Sequence, residues 1–90
     1  MIVRTTRDFG RLVRQARRDG DLTQARLAEL VGVSRKWIID IEAGKKTLEF
    51  GLALRTLNAL GIDLDGRPRH ERSPGLDLDA IVAASRRSTR

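Results

Sequence analysis

Residues 23–44, TQARLAELVGVSRKWIIDIEAG, carry two sets of helix boundaries so close together that few folds accommodate them. Thr23 is placed to cap one helix and Gly32 to end it in a left-handed conformation; Ser34 caps a second, which Gly44 closes. Leu27, Ala28, Leu30 and Val31 on the first helix, Val33 in the turn, and Ile38 and Ile41 on the second recur at helical spacing and are expected to share one core. That arrangement leaves Arg35, Lys36, Ile39 and Asp40 on the other face of the second helix. Such a face suits a DNA major groove, which admits one α-helix and displays base edges to its side chains.

Charge agrees with that partner. The formal net charge is +6, and clustered Lys and Arg release counterions from phosphates on binding. The surplus is local: residues 1–46 hold 11 Lys or Arg against 6 Asp or Glu, whereas 47–65 hold Arg55 against Glu49, Asp63 and Asp65. Ninety residues make one small domain with a modest core, so association with a second copy is a natural source of stability. No cysteine is present, which excludes a disulfide framework and thiolate metal sites, and the lone His70 cannot build a metal cluster. The amino-terminal MIVRTTRDFG lacks the apolar segment of a signal peptide, and no run approaches a membrane span. The expectation is a soluble, cytoplasmic protein that needs no cofactor and does not engage a membrane.

The stretch LTQARLAELVGVSRKWIIDIEAGK resembles the helix-turn-helix of the phage-repressor-like (XRE, Cro/C1-type) family, through Thr-Gln at its opening, Leu-Ala in mid-helix, Gly-Val-Ser at the turn and Ile-Glu-x-Gly-Lys at its exit. With flanking helices the resemblance extends over roughly residues 7–61. It implies an ion pair between Arg17 and Glu42 in preference to a solvated Arg17; an exposed pair would contribute under about 1 kcal/mol. It also implies that Gln24 contacts a phosphate at a helix amino terminus, where backbone donors and the dipole favour an anion, rather than standing solvated in a first turn. Ser34, Arg35, Lys36 and Asp40 fall on the family's base-reading positions: Arg or Lys donates to guanine N7 and O6, and Asp accepts from cytosine N4. Lys36 and Asp40 are also spaced to form an intrahelical pair. Trp37 departs from the small polar residue common there and belongs either beside the DNA backbone or in the core. Ile39 on this face would meet a thymine methyl or a protein. Lys45 and Lys46, past the Gly44 stop, would reach flanking phosphates, or else form a plain basic loop.

Around that centre, Met1 to Thr5 reads as an arm or a small edge strand. Thr5 or Thr6 caps a helix through about Arg18 with Phe9, Leu12, Val13 and Ala16 on one face, Arg7, Arg11, Arg14 and Arg18 largely elsewhere, and Gly20 as its stop. A fourth helix spans about Leu48 to Leu60. Phe50, Ala53, Leu57 and Leu60 form its apolar stripe, and Leu48, Leu52 and Ala59 widen it. Ile62-Asp63-Leu64-Asp65 alternates apolar and acidic, which predicts a half-buried strand in place of a fifth helix; the alternative is a coil turning back along the domain. A single strand needs a partner, and its own copy across a two-fold axis would bury Leu64, with Ile62 and Leu64 as dimerisation residues. Residues 66–75 read as a linker, and 76–87 carry Leu78, Ile81 and Val82 at helical spacing, a short docking helix or a disordered tail.

The sequence therefore predicts an all-α, four-helix repressor-like domain over residues 1–65, with a short carboxy-terminal strand pairing across a dimer, and a linker and tail over 66–90. A strand after the fourth helix is a feature of HipB-like antitoxins, and Arg14-Gln15-Ala16-Arg17 and Ile41-Glu42-Ala43-Gly44-Lys45 are similar to theirs. The resemblance implies a homodimeric repressor of a palindromic double-stranded operator that neutralises a HipA-like kinase toxin and autoregulates its operon; a stand-alone regulator is the alternative. An enzyme is not expected: there is no Gly-rich phosphate loop, no second histidine and no nucleophile with a base at a recognisable spacing. Architectural binding of any nucleic acid through charge predicts a steep salt slope without sequence preference.

Overall fold

A computed structural model describes residues 1–69 of the chain. Within them the fold is four helices, α1 (Thr6–Asp19), α2 (Gln24–Val31), α3 (Arg35–Glu42) and α4 (Phe50–Ala59). Three of the four starts are set by short hydroxyl side chains: Thr5, Thr23 and Ser34, each in extended conformation, accept a hydrogen bond from the backbone N–H three residues on, at 3.0 Å in every case. Helix α4 starts two residues later than the sequence pattern predicts, after Glu49, whose side chain makes no capping bond.

The helices enclose Phe9 and Val13 of α1, Leu27, Ala28 and Val31 of α2, Ile38 and Ile41 of α3, and Ala53 and Leu57 of α4, with Leu12, Val33, Trp37, Leu48, Ala59, Leu60 and Ile62 packed around them. Each fully buried large aliphatic side chain in this set contributes roughly 1.5–3 kcal/mol over leaving it in water. Helix α3 packs against both α1 and α2, and α2 also packs against α4. Thr56 is buried in α4, and its hydroxyl donates to the Leu52 carbonyl at 2.7 Å, so burying it leaves no unpaired polar atom.

Two apolar residues predicted for the core lie outside it. Leu30 is 48% exposed and Phe50 64% exposed. In α2 the inward arc is filled by Leu27, Ala28 and Val31, and Leu30 falls one step off it; Phe50 is the first residue of α4, beyond the reach of the other helices. Trp37 is half-buried against the core.

Between α2 and α3, Gly32 adopts φ 84°, ψ 38°, a conformation that any Cβ would strain, and its N–H donates to the Ala28 carbonyl at 2.8 Å. The Val33 N–H returns to the same carbonyl at 3.0 Å, and the Arg55 guanidinium donates to the Val31 carbonyl at 2.6 Å, so α4 helps close the end of α2. Gly20 ends α1 as its cap, as the sequence predicts, and the left-handed residue of the turn that follows is Asp21, φ 55°.

The expected strand over Ile62–Asp65 is absent: no residue among those described is in a β-ladder. The Ile62 N–H donates to the Leu57 carbonyl at 2.9 Å, which turns the chain back along α4, and the Ile62 side chain packs against the domain's own core. The burial that a partner strand was expected to supply to Ile62 is thus supplied within one chain, while Leu64 stays exposed. Met1 to Arg4 likewise form no strand. Among the described residues no helix is long and apolar enough to cross a membrane. His70 and the helical pattern over 76–87 lie outside the described residues.

The entry into α1 is tied twice. The Arg4 N–H donates to the Asp8 carboxylate at 3.0 Å while the Asp8 N–H donates to Thr5, and the carboxyl is held below its ordinary value, chiefly by the Arg4 N–H, with burial opposing and Thr5 and Arg11 assisting. A depressed folded value means that this support is present above the ordinary aspartate range, near pH 4, and is lost as pH falls through the lower folded value. Amide exchange at Arg4 is expected to accelerate as pH falls below about 4, relative to an Asp8→Asn variant in which the step is gone. Identical profiles for the two proteins would contradict the contact.

Candidate nucleic-acid interface

Burying Ile38 and Ile41 turns the remaining face of α3 outward, with Arg35, Lys36 and Ile39 exposed and Asp40 half-exposed. The Ser34 hydroxyl at its start is engaged as the cap acceptor for Trp37 N–H, so its oxygen is committed to the helix while its O–H remains free to donate. The Lys36 ammonium lies 3.0 Å from the Asp40 carboxylate, one turn along. Such an exposed pair contributes about 0.3–0.5 kcal/mol, less still with the cation on the amino-terminal side.

Beside this face is an open cleft between α1, α2 and α3 that runs along α3 from Arg35 through Ile39 to Glu42 and is lined from the other helices by Arg14, Arg17 and Arg18 and by Thr23 and Gln24. Its floor is an ion pair. Arg17 Nε and Nη2 donate to the two carboxylate oxygens of Glu42 at 2.7 and 3.0 Å, and Nη1 donates to the Leu22 carbonyl at 2.8 Å. The side chains are 11% and 5% exposed. The Glu42 hydrogen bond raises the Arg17 pKa further above its already high ordinary value, against the effect of burial. This fork is stronger than a solvated surface pair and pins α1 to the end of α3.

Gln24 sits between the ion pair and the outward face: its amide donates to Glu42 at 3.4 Å, and its carbonyl oxygen accepts from Arg35 at 3.5 Å. Both contacts are long, so Gln24 is loosely held at the start of α2 and free to turn toward an anion. Because Glu42 neutralises Arg17, the positive charge of the cleft comes from Arg14, Arg18 and Arg35. Past the end of α3, Gly44 turns the chain with φ 87° and Lys45 and Lys46 follow, both exposed.

The structure thus brings Gln24, Ser34, Arg35, Lys36, Ile39 and Asp40 onto one side of the molecule and sets Lys45 and Lys46 at its edge. It leaves Ile62 and Leu64 on the α4 side, in a shallow groove with Leu54, Arg55, Leu57 and Asp63. Sequence reasoning passed over Arg14 and Arg18 as site residues; their i, i+4 spacing on the polar face of α1 was the available signal, but only the docking of α1 on α3 turns that face toward the cleft.

Comparison with known proteins decides the family. A family model described as a helix-turn-helix domain matches residues 8–70. The chain belongs to the helix-turn-helix domain family. Among the relatives of this helix-turn-helix protein is y4mF of Sinorhizobium fredii, an uncharacterized HTH-type transcriptional regulator 41% identical over 63 residues, which cover 70% of this chain and 83% of the relative. An uncharacterized HTH-type transcriptional regulator of Methanothermobacter thermautotrophicus is 46% identical over 50 residues, covering 56% of this chain and 72% of its own. Among solved structures, the restriction-modification controller protein C.AhdI from Aeromonas hydrophila superposes with a TM-score of 0.60 at 29% identity, covering 64% of this chain and 84% of the controller. These matches place the protein with HTH-type transcriptional regulators.

Proposed function

We propose that this helix-turn-helix protein is a homodimeric, sequence-specific transcriptional regulator that inserts α3 into the major groove of double-stranded operator DNA and acts in the cytoplasm, at the nucleoid. The observation that carries the proposal is the outward face of α3, where Arg35, Lys36, Ile39 and Asp40 stand together beside the arginine-lined cleft, with Lys45 and Lys46 following the end of the helix. Arg35 and Lys36 donate to base edges, Asp40 accepts from one, Ile39 meets a thymine methyl, and Ser34 donates at the groove edge. Arg14, Arg18 and Gln24 on one side and Lys45 and Lys46 on the other hold phosphates and set the register. The role is one of binding, with no catalytic step.

The second copy is assigned to the α4 side. Leu54, Leu57, Ile62 and Leu64 line its groove, and Arg55 and Asp63 bring one charge of each sign to it. A two-fold axis there sets Arg55 against the second copy's carboxylate twice over, the self-complementarity that an isologous contact requires. Paired reading helices then meet half-sites about 34–36 Å apart.

Neutralising a HipA-like kinase toxin is the narrower form of this proposal. Its structural support was a strand at Ile62–Asp65, and with that stretch folded back on its own core the broader regulatory role is the conclusion. Likeness to C.AhdI favours a second reading, control of a restriction-modification gene pair.

Capture of genomic fragments by the purified protein, followed by footprinting, tests all of these. Two protected half-sites one helical turn apart are expected, and Arg35→Ala is expected to weaken binding there by about 5- to 150-fold, the equivalent of 1–3 kcal/mol of base readout. The gene behind the captured promoter, for a toxin, a restriction enzyme or neither, separates the readings. Recovery of random fragments, with Arg35→Ala no weaker than the wild type, would defeat the proposal.

A further inference from the structure

We infer that Asp40 is a specificity-determining residue that works as an internal competitor, holding Lys36 on DNA of the wrong sequence and releasing it where a base amino group takes its place. The inference rests on the DNA-reading role proposed above and adds to it a coupling between two side chains. Outward on α3 the charged groups are Arg35, Lys36 and Asp40, and the carboxylate is the odd member of a face otherwise suited to phosphate. Glu42, the other carboxylate of α3, is held by Arg17. Asp40 has no such internal partner, and its 3.0 Å contact is with Lys36, whose side chain is 82% exposed. Nothing packs the pair shut, and a cation amino-terminal to its anion by one turn is the weaker order. The pair therefore opens whenever both members find better partners.

Major grooves offer such partners selectively. Guanine N7 and O6, adenine N7 and thymine O4 are acceptors, and only the exocyclic amino groups of cytosine and adenine donate. Against a run of acceptors and phosphates an unpaired carboxylate is repelled, so Asp40 keeps Lys36, and the complex loses one cationic contact. Where an amino donor faces Asp40, the carboxylate is satisfied by the base and Lys36 is freed to donate to a neighbouring purine or phosphate. One residue thus weakens binding to random DNA and strengthens binding to the correct site.

The test uses the full chain, Asp40→Asn, and titrations on random-sequence DNA and on the footprinted site across a salt series. Asn keeps the shape and removes the charge. On random DNA the variant is expected to bind more tightly, with the salt slope steeper by about one unit, near 0.9 for each additional cation placed on a phosphate. The ratio of site to random affinity is expected to fall by about tenfold or more, within the range of losing one base contact. In a Lys36→Gln background the steepening of the slope is expected to vanish. An unchanged slope and an unchanged ratio in Asp40→Asn would overturn the inference while leaving the DNA-reading role intact. Absence of any sequence preference in the wild-type protein would overturn that role, and this inference with it.

Discussion

Glu42→Ala is expected to lower the folding stability of the domain by about 3 kcal/mol, the lower end of the range for breaking a buried ion pair. The cause is what the substitution leaves behind. Arg17 would keep its bond to the Leu22 carbonyl but lose both bonds to carboxylate oxygens, in a position where its side chain is only 11% exposed. The cleft above the pair admits some water, which moderates the cost. For a domain of this size about 1 kcal/mol moves the midpoint by roughly 4–8 °C, so thermal unfolding should shift downward by more than 10 °C. Replacing both partners, Arg17→Met with Glu42→Leu, is expected to cost much less, because no charge is left unpaired. Since the Arg17 pKa is raised, its share of the stability is fully present below the arginine's ordinary value and is lost only as pH rises through the still higher folded value; the arginine adds no pH dependence across the neutral range. A loss under about 1 kcal/mol for Glu42→Ala would mean that the pair behaves as a solvated surface contact.

The second large effect concerns two glycines with opposite expected signs. Gly10 lies inside α1 where it crosses the end of α3, and a methyl group there would overlap the Ile41 carbonyl oxygen and crowd the Glu42 carbonyl. These are backbone atoms at the point where the Arg17–Glu42 pair also joins the helices, so relief requires moving one helix off the other. Gly10→Ala is expected to destabilise by about 2–3 kcal/mol, overpacking more than offsetting the roughly 0.5–1 kcal/mol that alanine gains over glycine in a helix. Gly51 is exposed in the first turn of α4, where a methyl group would meet only the end of the Glu49 side chain at 3.4 Å. Gly51→Ala is expected to stabilise by up to about 1 kcal/mol. Chemical denaturation of the two variants checks the pair of signs; stabilisation in both would show that α1 and α3 are not in close contact at Gly10.

How much of the fold is legible in the sequence follows from the range of each interaction. Thr5, Thr23 and Ser34 act on backbone groups three residues away, and α1 is long enough for its apolar face to be unambiguous. Eight-residue α2 has little more than two turns, too few for periodicity to separate Leu30 from Leu27 and Val31. Whether Phe50 finds a neighbour depends on where other helices end. Gly10 looks like a helix defect until Ile41, thirty-one positions on, is brought against it, and Arg55 looks like a surface charge until α4 meets the end of α2. Alternation at Ile62–Asp65 has the strand period, yet a turn bond to Leu57 and the pull of the adjacent core on Ile62 decide otherwise. The outward face of α3 is legible because its positions are set by the helix-turn-helix geometry, whereas Arg14 and Arg18 require the packing of α1.

A helix α3 that reads sequence must do more than attract phosphate. The most direct measurement is the ratio of affinities for the captured genomic site and for random DNA of equal length, at about 150 mM salt. A ratio of about 10³ or more is expected, as specific regulators require, with the Arg35→Ala variant losing affinity for the site and little for random DNA. A ratio near one, with affinity that collapses equally on both DNAs as salt rises, would contradict it and leave the basic face as a general polyanion-binding surface.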